Sequence, residues 1–231
     1  MPPDLHARAA SALIERSLHV LLEKPVAITA KECSELIEQA AARGVMIGVN
    51  YNFLFAPTYE NLKDDLKSGK IGLPDHVTIT LWMLRDPRNI TLEIGPHCLA
   101  PILDLVGPLE ISAVQASNRV MLQGDQEFYR RWSIEALTGS VAVSLHLSFS
   151  PGFAEQMIHV RGTLASATVD FERNAYLLHQ HTRYGLDFDH YRMIRQEASS
   201  LAAQARRSLT QYALSKLKLS SKGSPYYYSV K

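Results

Sequence analysis

The chain has 231 residues, 46% hydrophobic and 20% charged, which is enough to bury one large core or two modest ones without a disulfide or metal staple, and too apolar for a disordered chain. Lys plus Arg is 24 and Asp plus Glu 23, so no whole-molecule field gathers nucleic acid, anionic lipid or an acidic partner, and any charge effect is local. Two cysteines, Cys33 and Cys98, are too few for a secreted disulfide framework, no charged-then-apolar leader opens the chain, and the longest uncharged stretch, 136–154, is too polar to span a bilayer; a cytoplasmic protein without a membrane anchor is expected.

Residues 7–17 read as a helix rich in small residues, and 19–22 as a short buried strand stopped by Pro25. Thr29 and Glu32 have the spacing of a capping box. Cys33, Leu36, Ile37, Ala40 and Ala41 then fall on one helical face, with Gly44 placed to close it. Residues 45–49 form a second apolar strand, and the order helix, strand, helix, strand predicts a parallel, right-handed crossover unit. Pro57, Leu62, Leu66 and Gly69 mark a helix over about 57–68. From residue 76 the pattern changes to short, alternating, β-branched runs at 76–82, 111–121, 132–136, 140–149, 155–160 and 167–171, which predict an antiparallel or mixed sheet. A last helix, about 190–218, carries Met193, Ile194, Leu201, Leu209 and Leu217 on a broad apolar face, and a polar tail with Tyr226 to Tyr228 follows.

Five motifs then stand in a telling order. They are Pro2-Pro3 with His6; the run 19–25 ending in Glu23-Lys24-Pro25; Gly48-Val-Asn-Tyr-Asn-Phe-Leu-Phe-Ala-Pro57; Gly69-Lys-Ile-Gly72; and Gly95-Pro-His97. Over residues 2–97 the chain resembles the Gfo/Idh/MocA oxidoreductases, the group of glucose-fructose oxidoreductase and inositol dehydrogenase. The strands around Arg161-Gly-Thr163 and 167–170 resemble the C-terminal domain of that family more loosely. The resemblance implies an α/β plus α+β fold. Residues 1–49 would be the back half of a Rossmann-type parallel sheet, and 50–231 a substrate and dimerisation domain with a mostly antiparallel open sheet and flanking helices. It also implies NAD or NADP as cofactor and hydride transfer to or from a sugar, cyclitol or related secondary alcohol. Homo-oligomers would form through the C-terminal sheet.

The same resemblance puts cofactor contacts at Pro3, His6, Glu23, Lys24, Pro25, Asn50 and Asn52, and catalysis at Lys24 and His97, with Glu93 standing where the family has an aspartate four residues before the histidine. Lys24 has a physical reading of its own. A lysine at the carboxyl end of a parallel strand points into the crevice where open α/β sheets bind ligands. There its ammonium can hydrogen-bond a substrate hydroxyl and favour the alkoxide that forms as hydride leaves carbon; the plain alternative is a solvated lysine. A neutral imidazole at His97 can accept the hydroxyl proton, and Glu93, one helical turn earlier, can orient it; the plain alternative is a histidine in a Gly-Pro turn.

Departures qualify the match. Leu54 stands where many relatives carry an arginine, and Ala100 where an acidic residue is common, so a different substrate or weakened catalysis is expected. The chain holds no G-x-G-x-x-G turn and begins about where the family's fourth strand ends. A fragment is therefore expected, and a non-catalytic binding or assembly module derived from the same fold is the alternative. Between residues 190 and 231 eight basic residues face one acid, which reads as the solvated side of a helix before it reads as a phosphate or nucleic-acid surface. His179, His181, His190, Asp187 and Asp189 have no recognised ligand spacing, and no metal is expected.

Overall fold

Two short strands and two helices open the chain. In the computed structural model, which describes residues 3–84, 94–122, 126–184 and 186–220, these are α1 (His6–Ile14), β1 (Val20–Glu23), α2 (Ala30–Arg43) and β2 (Ile47–Asn50). The strands pair in parallel, from Val20 opposite Ile47 to Glu23 opposite Asn50. The capping box at α2 is complete: the Glu32 N–H donates to Thr29 Oγ1 at 3.2 Å and the Thr29 N–H to the Glu32 carboxylate at 3.0 Å. Gly44 ends the helix at φ 64°, a left-handed conformation that glycine adopts without a Cβ clash. Ala10, Ile14, Val20, Leu22, Leu36 and Ala40 form a small core. Only Leu36 and Ala40 of the predicted α2 face are buried; Ile37 is 60% exposed, because a two-stranded sheet presents too narrow a strip to cover the whole face.

The second sheet has seven strands: β3 (Pro74–Trp82), β4 (Glu110–Leu122), β5 (Gln126–Thr138), β6 (Val141–Ser148), β7 (Glu155–Gly162), β8 (Ala165–Asp170) and β9 (Ala175–Gln180). Their spatial order is β4-β5-β6-β3-β7-β8-β9. Every neighbouring pair is antiparallel except β3 and β6, so the sheet is mixed, as the alternating runs predict. One face carries Val77, Ile79, Leu81, Val143, Leu145, Ile158 and Val160 into the main core. Tyr59 and Leu62 of α3 (Pro57–Lys67) and Cys98 and Ile102 of α4 (Gly95–Val106) fill that core from above. The opposite face is a lattice of hydroxyls and imidazoles: His76 Nε2 lies 3.0 Å from Ser144 Oγ, Ser144 donates to Glu135 at 2.5 Å, and His159 Nδ1 lies 2.9 Å from Thr168 Oγ1.

A polar brace fixes α4 against α3. The Tyr59 hydroxyl donates to the Asp104 carboxylate at 2.8 Å and lies 3.1 Å from the Pro101 carbonyl, and Lys63 pairs with Asp104 at 2.7 Å. Burial and the nearby carboxylate push the Tyr59 phenol well above its ordinary pKa, so it stays a donor. A second brace ties α3 to the far strand, where Tyr176 donates to Asp65 at 2.7 Å.

The last helix, α5 (Leu186–Lys216), lies along edge strand β9. The Gln204 amide both donates to the Tyr176 carbonyl and accepts from its N–H, each at 2.7 Å, closing part of a sheet edge that would otherwise be unpaired. The broad apolar face predicted for this helix is not buried in the chain: Ile194, Leu201, Leu209 and Leu217 are all exposed. The contacts that hold it are polar. Among the described residues no helix is long and apolar enough to cross a membrane.

Candidate active site

Strand β1 delivers Glu23 and Lys24 to its carboxyl end, beside the end of β2. The Lys24–Pro25 peptide is cis. His6, 5% exposed, places Nδ1 2.7 Å from the Pro25 carbonyl, so the start of α1 is locked to this loop. Asn50 donates from Nδ2 to the Glu23 carboxylate at 2.7 Å, which ties the two strand ends together. Three of the expected cofactor contacts, His6, Glu23 and Asn50, are thus engaged with the protein itself and shape the loop that presents Lys24. Pro3 opens a single 3-10 turn, Pro3–Leu5, directly before α1.

Another 3-10 turn, Asn52–Phe55, follows β2 and carries Asn52 and Phe53 toward α4. The Phe53 ring meets His97 edge-on, with centroids 4.9 Å apart, and meets Phe171 at 4.7 Å. Leu54 packs against the main core. His97 is not in a loop turn: Gly95 and Pro96 form the first turn of α4, and His97 stands on that helix. The helix went unpredicted because Pro96, Pro101 and the glycines at 95 and 107 punctuate it. Pro101 is four residues after His97 and has no N–H, so it gives the His97 carbonyl no helical hydrogen bond. Glu93 lies outside the described residues.

Burial first, and the positive charge of Lys24 second, lower the His97 pKa to about 4. The second cause puts the Lys24 charge within electrostatic reach of the imidazole. The same shift keeps His97 neutral at pH 7, the form that accepts a proton. Two buried polar atoms here have no hydrogen-bond partner among the described residues, Asn52 Oδ1 and His97 Nδ1. Orphaned atoms of this kind are rare in folded proteins unless a ligand or water meets them. A ligand N–H or O–H would suit Asn52 Oδ1, which only accepts. Phe53 lies within the 48–57 motif without being singled out there, and Phe171 lies in no motif; a half-buried aromatic beside a histidine is visible only in three dimensions.

The remaining candidates separate from this site. His179 donates to Glu197 at 2.7 Å and His181 to Asp189 at 3.0 Å, and Asp189 also accepts from the Thr182 N–H at 2.7 Å. Among the described residues no group of three or more His, Cys, Asp or Glu side chains is arranged to hold a metal ion. Burial raises the Cys98 thiol to about pKa 12, which leaves it a packing residue and not a nucleophile. Tyr226 to Tyr228 lie outside the described residues.

Comparison with known proteins gives the site its context. Residues 1–51 match the model of an oxidoreductase family with an NAD-binding Rossmann fold, GFO_IDH_MocA. The 1,5-anhydro-D-fructose reductase of Ensifer adhaerens is 27% identical over 180 residues, 71% of this chain and 53% of that protein. A scyllo-inositol 2-dehydrogenase (NADP(+)) of Bacillus subtilis is 26% identical over 188 residues, 73% of this chain and 55% of that protein. Among solved structures, the 3-ketoreductase KijD10 of Actinomadura kijaniata in complex with NADP superposes with a TM-score of 0.61 at 21% identity, covering 74% of this chain and 53% of that one. The chain spans about half the length of the curated relatives it matches. The opening residues are similar to the Gfo/Idh/MocA oxidoreductases, and the parallel strand pair that ends at Lys24 and the mixed open sheet share the fold of the solved oxidoreductases.

Proposed function

We propose that the chain supplies the catalytic half of a cytoplasmic NAD- or NADP-dependent oxidoreductase acting on a secondary alcohol of a sugar or cyclitol. In this reading it divides near residue 49 into part of a nucleotide-binding domain and a substrate domain. The observation that carries the proposal is the Lys24 charge within electrostatic reach of a neutral His97, beside two buried polar atoms that lack partners among the described residues. The names of the matched reductases and dehydrogenases support the substrate class.

A nicotinamide dinucleotide, bound along the Pro3, Pro25 and Asn52 loops, would supply the hydride acceptor or donor. The chain's own groups do the rest. The Lys24 ammonium donates a hydrogen bond to the reacting hydroxyl and favours its alkoxide form. His97 accepts the hydroxyl proton and returns it in the reverse direction. Phe53 and Phe171 form an apolar wall beside the imidazole that excludes water and keeps it neutral. The open sheet face is assigned to a second copy of the chain.

Titrating the chain with NADH and NADPH while following nicotinamide fluorescence is expected to give saturable binding in the micromolar range, weakened by Asn52→Ala. Absence of a saturable signal with either nucleotide overturns this reading. It would favour the second, a non-catalytic module, which the burial of Leu54 against the main core supports because no arginine reaches the cleft from that position.

A further inference from the structure

Away from the Lys24–His97 site, two adjoining clefts lie along the C-terminal half of α5, the first against the opening of α3 and the second against Arg173 and Asn174, and they share Asn174, Ser208 and Gln211. The first, about 190 Å³, opens at Thr58 and Asn61 on one side and Arg207 on the other. Helix α3 begins there without a side-chain cap, since Ala56 stands at the N-cap. Pro57 has no N–H, and the N–H groups of Tyr59 and Glu60 bond to the Ala56 carbonyl. The Thr58 N–H is what the turn leaves to offer, at the positive end of the helix dipole. Thr58 is 6% exposed, and its Oγ1 has no hydrogen-bond partner among the described residues. A hydroxyl buried without a partner costs stability unless something arrives to meet it.

Charge points to what arrives. No carboxylate lines either cleft, and Arg207 makes no ion pair among the described residues. The second cleft, about 470 Å³, adds Arg173, Lys216 and the exposed ring of Tyr212, with the Lys216 ammonium 5.3 Å from the ring centroid. Arg173 already shares its charge with Asp170 at 3.1 Å, so Arg207 is the better anion partner.

We propose that these clefts bind a phosphate monoester of a small polyol or sugar, at a site separate from the redox centre. The phosphate sits in the first cleft. Its three terminal oxygens accept from the Thr58 N–H, the Thr58 hydroxyl and the Arg207 guanidinium, donors that approach from different directions and so suit a tetrahedral oxyanion better than a planar carboxylate. The polyol lies in the second cleft against Tyr212, whose ring offers an apolar face with polar groups around it. Only the excess of basic residues beyond residue 190 hints at this in the sequence. Folding selects Arg207 from that run by bringing it to the uncapped turn.

The test is a titration of the whole chain with inorganic phosphate and with glucose 6-phosphate at constant ionic strength, read by amide NMR shifts. Saturable shifts centred on Thr58, Asn61 and Asn174 are expected, with the ester at least fivefold tighter than inorganic phosphate. Arg207→Ala is expected to weaken both at least tenfold, and Tyr212→Ala to weaken only the ester. Thr58→Val is expected to weaken both about threefold or more while leaving the unliganded chain as stable as before or more so, because the hydroxyl it removes has no partner among the described residues. Several results would overturn the proposal: no saturable shift, equal affinity for the two ligands, a dissociation constant unchanged by Arg207→Ala, or shifts spread evenly along α5 as simple screening produces.

Discussion

If the proposed oxidoreductase reading holds, replacing Lys24 by alanine is expected to slow nicotinamide-dependent oxidation of the alcohol by about 10²–10⁴-fold while the fold survives. The loss should fall on kcat more than on KM. The ammonium's hydrogen bond strengthens as the hydroxyl becomes an alkoxide, so it acts mainly on the transition state and little on the ground state. The fold is spared because Lys24 belongs to neither apolar core, and the loop around it is held by His6 on the Pro25 carbonyl and by Asn50 on Glu23. Steady-state kinetics with circular dichroism of the variant checks both halves. A loss below threefold in kcat would remove Lys24 from the chemistry.

Gly162→Ala is expected to cost about 2–4 kcal/mol of folding stability. A Cβ at this position would meet the Ile71 carbonyl oxygen at 2.3 Å and Ile71 Cγ2 at 2.7 Å. Neither neighbour moves freely: Ile71 is fully buried, and its carbonyl accepts from the N–H groups of Leu164 and Ala165 at 3.0 and 3.3 Å. Relieving the clash means breaking the turn between β7 and β8 or opening the core beneath it. Gly139→Ala is the natural control. Gly139 has φ 57° with open space around its Cβ position, so only backbone strain of about 1 kcal/mol is expected there. Urea denaturation of the two variants should separate them by at least 1 kcal/mol; equal losses would show that close packing at Gly162 is not what the fold depends on.

How much of this the sequence discloses depends on whether local chemistry or long-range packing decides an element. Helix α2 is legible because its signals are local: Thr29 and Glu32 satisfy each other's backbone, and Gly44 supplies the left-handed stop. The parallel pair that carries Lys24 follows from the helix–strand alternation alone. Helix α4 is not legible, because Gly95, Pro96 and Pro101 argue against a helix locally. It forms because Cys98 and Ile102 fill the main core and the Tyr59–Asp104 brace holds it there. Strand β9 is short and was missed for a related reason: only Tyr176 is buried along it, and its edge is satisfied by a glutamine side chain from α5. The apolar pattern of α5 misled in the opposite direction, since periodicity reports an apolar face but not what covers it. At the site, Lys24 and His97 were found from their motifs, whereas the internal bonding of His6, Glu23 and Asn50 and the aromatic wall of Phe53 and Phe171 needed distances.

The proposed chemistry needs Lys24 and His97 to share one site, and the imidazole reports this directly, without turnover. Followed by NMR, His97 is expected to titrate near pH 4, below its ordinary value of about 6.5. The neutral ring therefore contributes its full stabilisation above pH 6.5, and that contribution is lost as the pH falls through 4. In Lys24→Met the His97 pKa is expected to rise but to stay below 6.5, because the neighbouring cation is gone while burial, the larger cause, remains. A His97 pKa that does not move in Lys24→Met would contradict the shared site and, with it, the redox assignment.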